Sequence, residues 1–232
     1  MGKILLAGVR AARDYAIKAH GDQRYGDYPY VTHLDAVSAI AAAYNLPYNI
    51  RVAAYLHDIL EDTPVTEDEL YVEYGSKITS LVRAVTNDSD PRPGYKERTY
   101  INIVLGGDSA ISLKLCDRIA NLRACVPGKH DRLLRKYVQD SSFDLILFRL
   151  VGSRGKPSPG VASLWMAYYV LIKKYRGEYG LSETDIRNYK TDEQRKYEHR
   201  IEQMQASARE SEEIIQSLRN QLQRNKLQRR AT

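Results

Sequence analysis

Cysteine is scarce: Cys116 and Cys125 are the only two among 232 residues, which argues against a disulfide-stapled secreted domain. No apolar run approaches the roughly eighteen residues of a membrane span. The opening stretch, MGKILLAGVRAARDYAIKAH, does not read as a signal peptide, because arginine and aspartate interrupt its apolar part. Leu6 stands where myristoylation of Gly2 would want Ser or Thr. Alternation of strand type is also missing throughout, while helical periods recur. Together these absences predict a folded, cytoplasmic, all-α protein.

What is present fits that reading. Hydrophobic residues make up 43% of the chain, enough for one full-sized domain with an extension. The net charge of +6 and pI near 9.1 admit an anionic partner, and ordinary surface lysine and arginine account for them equally well. Helices are expected over about 5–20, 33–44 and 49–61, the last stopped by Thr63-Pro64. TEDE, Thr66 to Glu69, is a capping box for a fourth helix that ends near Tyr74-Gly75, and another follows at about 78–85. TNDSDPRPG reads as a loop. Further helices are expected over about 96–104, 109–124, 131–151 (where 143–148 could pass for a strand) and 161–175.

Composition changes after GEYGLS, giving a core of 1–182 and an extension of 183–232. Tyr197, Ile201, Met204, Ala208, Ser211, Ile215, Leu218 and Leu222 recur three and four residues apart, a coiled-coil-like seam weakened by Ala208 and Ser211. It favours a homo-oligomer over a lone solvated helix.

The chemistry concentrates in AAYLHDILEDTP. His57, Asp58, Glu61 and Asp62 occupy six residues of an otherwise apolar element, where unpaired charges would be costly. On a continuous helix, Glu61 lies one turn beyond His57 and Asp62 one turn beyond Asp58, stacking the four groups in two layers. An imidazole with a carboxylate suits a divalent metal, and the second layer can position and deprotonate a water. Two ligands cannot hold a metal alone. The other candidates are His33, at the start of the second helix, and Asp117 in SLKLCDRIANL, where Lys114, Asp117 and Asn121 form a polar stripe on an apolar helix.

AHGDQRYGDYPYVTH, AAYLHDILEDTPVTEDELYVEYG, LVRAVTND and LKLCDRIANLR, in this order, resemble the HD-domain hydrolases of guanosine tetra- and pentaphosphate. These are the hydrolase halves of the bifunctional Rel/Spo-type enzymes and the stand-alone small alarmone hydrolases. With no synthetase-like segment following, the stand-alone enzymes are the expected closer match. The resemblance implies an HD-domain helical bundle with one Mn²⁺ held by His33, His57, Asp58 and Asp117. It also implies water activation by Glu61 and Asp62, and release of pyrophosphate from the ribose 3′ position to leave GDP or GTP. Arg24 matches an arginine that packs on the guanine base, Asn121 an asparagine near the nucleotide, and Tyr137 a tyrosine near the phosphates. His20 belongs to the motif and is expected to pack rather than coordinate. The sequence departs from the pattern at Tyr25, where a basic residue is usual, at Leu34, where Pro is usual, and at Ala124, where many members have Thr.

Alternatives keep the chemistry and change the substrate, to the 2′-phosphate of NADPH or a deoxynucleotide, or make the chain a nucleotide-sensing scaffold acting through its coiled coil. Nucleic-acid binding would rest only on net charge and the basic terminus.

Overall fold

The computed structural model describes residues 2–87, 95–138, 141 and 158–178. All belong to one compact unit, Met1–Ile186. The expected boundary after 182, the 183–232 extension and most of the expected 131–151 helix lie outside the described residues.

The described part is all-α with one small hairpin. In chain order it runs α1 (Gly2–His20), β1 (Arg24–Tyr25), β2 (Tyr28–Pro29), α2 (Val31–Ala43), α3 (Tyr48–Leu56), α4 (Ile59–Asp62), α5 (Glu67–Val85), α6 (Tyr95–Leu105) and α7 (Gly107–Ala124). Residues 131–138 are helical (α8), and α9 is Pro159–Glu178. α3 packs against α1 and α2, and α7 packs against α2, α3 and α9, so α3 and α7 form the centre. Leu34, Leu56, Ile59, Leu113, Ile119 and Leu122 are fully buried there. No described helix is long and apolar enough to cross a membrane.

Local signals explain the ends. Thr66 accepts from the Glu69 amide at 3.2 Å and Glu69 accepts from the Thr66 amide at 2.8 Å, the expected capping box. The two helices expected either side of Gly75 run on as one, kinked where Gly75 adopts φ 74° and ψ 169°. Two further features differ from the sequence reading. The loop GDQRYGDYPYVT holds an antiparallel pair, Arg24 opposite Pro29 and Tyr25 opposite Tyr28. Strands of two residues are too short to show an alternating pattern; the signal was Gly26, whose φ of 58° suits the first position of a two-residue hairpin turn. The expected 49–61 helix is also not continuous. It ends at Leu56, passes through a turn at His57 and Asp58, and resumes at Ile59. Inside that turn the His57 Nδ1 lies 3.0 Å from the Ala54 carbonyl.

Candidate metal centre

The turn between α3 and α4 changes how the acidic residues are used. His57 and Asp58 face inward, with His57 Nε2 3.0 Å from Asp58 Oδ2. α2 begins beside them and brings His33 Nε2 to 3.3 Å from His57 Nε2 and 3.6 Å from Asp58 Oδ2. From α7, Asp117 Oδ1 lies 3.4 Å from His33 Nε2 and 3.8 Å from His57 Nε2. Four groups from three parts of the chain therefore converge, and both histidines and Asp117 are buried.

Electrostatics reflect this crowding. Burial pushes the His57 imidazole down, but the Asp58 and Asp117 carboxylates beside it prevail and raise it to about 10. Burial would raise Asp58, yet His57 brings it down to about 2. Asp117 is held well below the usual carboxylate range: burial opposes this, and Lys114 and the two imidazoles outweigh burial. Two carboxylates so placed call for positive charge at the point they share.

A divalent cation fits. His57 Nδ1–H donates to the Ala54 carbonyl, so Nε2 is the atom facing the other three groups, available to a cation that displaces its proton. Two imidazole nitrogens facing each other at 3.3 Å can share one proton at most, whereas a cation between them would satisfy both and the carboxylates. Imidazole with carboxylate is a donor set for divalent first-row metals.

The surrounding residues orient these groups. Tyr30 donates to Asp58 Oδ2 at 2.5 Å and stacks on His20, ring centroids 4.5 Å apart. Burial, then Asp58, raises the Tyr30 hydroxyl, so it stays a donor. His20 packs as expected, its Nδ1 2.7 Å from Gln23 Oε1. Lys114 Nζ lies 2.9 Å from Asp117 Oδ2, leaving Oδ1 for the imidazoles and for Asn121 Nδ2, which donates to it at 2.5 Å.

The acidic pair lies at the rim. Glu61 accepts from the Asn87 amide at 2.5 Å through Oε1 and from Asn87 Nδ2 at 2.7 Å through Oε2. Burial raises the Glu61 carboxyl, and the Asn87 bonds act against that rise. Asp62 accepts from Gln23 Nε2 at 3.0 Å. Glu61 and Asp62 are therefore held by different parts of the chain, Asn87 after α5 and Gln23 before β1, and do not form the second layer of a continuous helix.

The residues expected to touch substrate are placed unequally. Asn121 is joined to the centre through Asp117. Tyr137 is half-buried on α8, its hydroxyl raised by burial and by nearby Tyr25 and Asp117. Arg24 is exposed and turned back on its own hairpin, donating to the Asp27 carbonyl. Sequence reasoning assigned no part to Gln23, Tyr30 or Asn87. All three lie inside the quoted motifs, but their partners are distant in the chain.

Residues 12–92 match the HD domain family. Such a domain implies a divalent metal ion, and the matched stretch carries His33, His57 and Asp58, whose donor atoms all lie within 4.8 Å of one another. Asp117 comes from beyond the matched stretch. The chain is similar to the bifunctional (p)ppGpp synthase/hydrolase SpoT of Escherichia coli (strain K12), 32% identical over 142 residues, 56% of this chain and 20% of that protein. It is likewise similar to the probable guanosine-3′,5′-bis(diphosphate) 3′-pyrophosphohydrolase of Mycoplasma pneumoniae, 31% identical over 132 residues, 51% of this chain and 18% of that one. The probable GTP pyrophosphokinase of Mycobacterium leprae is 34% identical over 147 residues, 59% and 19% of the respective chains. The chain thus spans about a fifth of the length of these curated relatives. Among solved structures it resembles one described as a metazoan ortholog of SpoT that hydrolyzes ppGpp and plays a role in starvation responses. The TM-score is 0.57 at 24% identity, covering 76% of this chain and 97% of that one. At that identity the likeness establishes the helical fold alone.

Proposed function

We propose that the chain is a Mn²⁺-dependent hydrolase that removes the 3′-pyrophosphate of guanosine tetra- or pentaphosphate, acting in the cytoplasm in the stringent response. The observation that carries this reading is the convergence of His33, His57, Asp58 and Asp117 within 3.0–3.8 Å contacts beside Glu61 and Asp62. Support also comes from relatives named as 3′-pyrophosphohydrolases of guanosine-3′,5′-bis(diphosphate).

In this reading the four converging residues hold the ion, which when bound would polarise a phosphate oxygen and ease deprotonation of a water. Glu61 takes the proton of the attacking water. Its raised carboxyl lies nearer the working pH of a general base than an ordinary glutamate would. Asn87 keeps the carboxylate from swinging away. Asp62, tethered by Gln23, orients the water. Arg24 packs on the base once released from Asp27, Asn121 contacts the nucleotide, and Tyr137 faces the phosphates. The segment 183–232 associates copies of the chain.

The test is Mn²⁺-dependent pyrophosphate release from guanosine tetraphosphate, with Asp58→Ala as the control. Release by the wild type alone supports the proposal. No release from protein that contains stoichiometric metal overturns the substrate assignment and directs the search to NADPH and deoxynucleotides.

A further inference from the structure

Tyr25 belongs to a strand of two residues, yet it reaches two of the candidate metal ligands, His33 directly and Asp117 through Asn121. Neighbouring strand residues point to opposite faces, so Arg24 is exposed while Tyr25 turns inward. Its ring lies nearly flat on the His33 imidazole, with centroids 4.8 Å apart and planes at 22°. Its hydroxyl donates to Asn121 Oδ1 at 2.8 Å, a contact across 96 residues of sequence. Asn121 in turn donates to Asp117 Oδ1, the oxygen that faces the two imidazoles.

These contacts have a direction. Asn121 has one amide group, and its two ends are assigned by its neighbours: the nitrogen must face Asp117 and the oxygen must face a donor. Tyr25 is that donor. With the hydroxyl gone, the amide loses the bond that keeps its nitrogen on Asp117, and Oδ1 of Asp117 is freer to rotate out of the centre. On the other side, the ring limits tilting of the His33 imidazole. The far edge of that ring has no hydrogen bond to fix its tilt, since its Nδ1 is buried without a hydrogen-bond partner among the described residues.

We infer that Tyr25 is a positioning residue for the metal centre, its ring setting the plane of His33 and its hydroxyl, through Asn121, setting the Asp117 carboxylate. The inference rests on the metal-centre reading above. It assigns to the hairpin the work of arranging ligands from α2 and α7. Outer partners of this kind usually account for about 10–100-fold in metal affinity.

The experiment is a direct Mn²⁺ titration of the full chain, followed by the electron paramagnetic resonance of the free ion, so that the readout is independent of catalysis. Tyr25→Phe keeps the ring and removes the hydroxyl, Tyr25→Leu removes both, and Tyr28→Phe is the control on the same hairpin. The wild type is expected to take up one equivalent. Tyr25→Phe should bind about tenfold more weakly and Tyr25→Leu more weakly still. Tyr28→Phe should match the wild type, and the far-ultraviolet circular dichroism of all four should agree. Tyr25→Phe binding within twofold of the wild type, or Tyr28→Phe weakening binding as much, overturns the role of Tyr25 and leaves the metal centre intact. A wild type that takes up no Mn²⁺ overturns both.

Discussion

Glu61 presents the clearest division of labour at the scale of single residues. Both of its oxygens are engaged by Asn87, while burial raises its carboxyl. As the proposed base, Glu61 must be unprotonated to act, so activity should fall as pH drops through this raised value, at higher pH than an ordinary glutamate would dictate. The Asn87 bonds favour the charged form and hold the value down. In Asn87→Ala the acid limb of the kcat profile should therefore move to higher pH, which a pH–rate series checks. Glu61→Gln should retain stoichiometric metal and lose about 10²–10⁴-fold in turnover. His57→Ala or Asp117→Ala should lose metal and activity together, as measured by metal analysis of the purified variants.

Helices and turns raise a different question, namely which local conformations the site depends on. Gly75 divides α5 at a φ and ψ that only glycine adopts readily, and nothing lies within 4 Å of where a Cβ would be. Gly75→Ala should therefore destabilise through the backbone alone, by about 1–3 kcal/mol in urea unfolding. Leu113 is fully buried on α7, one turn before Asp117. Leu113→Ala should lower stability by about 2–5 kcal/mol. The break at His57 and Asp58 is the element-level feature on which the proposed site depends. It releases Glu61 towards Asn87 and Asp62 towards Gln23.

Across the whole molecule, the candidate ligands come from α2, the α3–α4 turn and α7, so a bound ion would tie together elements far apart in sequence. Chelation should lower the Tm as well as abolish activity. An ion at a hundred times its Kd adds about 2.7 kcal/mol to stability, a shift that thermal unfolding with and without EDTA would register. Deleting residues after Ser182 should reduce oligomer size in light scattering and leave a folded, active core. A core that precipitates would instead make the extension part of the fold.

The sequence by itself determined most of the helices and the residue types gathered at the candidate site. Caps, glycine breaks and helical periods act over three or four residues, so the capping box at Thr66 and the helices around it were legible directly. His33, His57, Asp58 and Asp117 stood out because charged and imidazole groups are costly in apolar helices. Tertiary structure decided the partners. Asn87 meets Glu61 across 26 residues, Gln23 meets Asp62 across 39, and Tyr25 meets Asn121 across 96. No periodicity encodes such distances. A hydrogen bond selects its partner by where packing brings a donor and an acceptor, and only the packed bundle sets those positions.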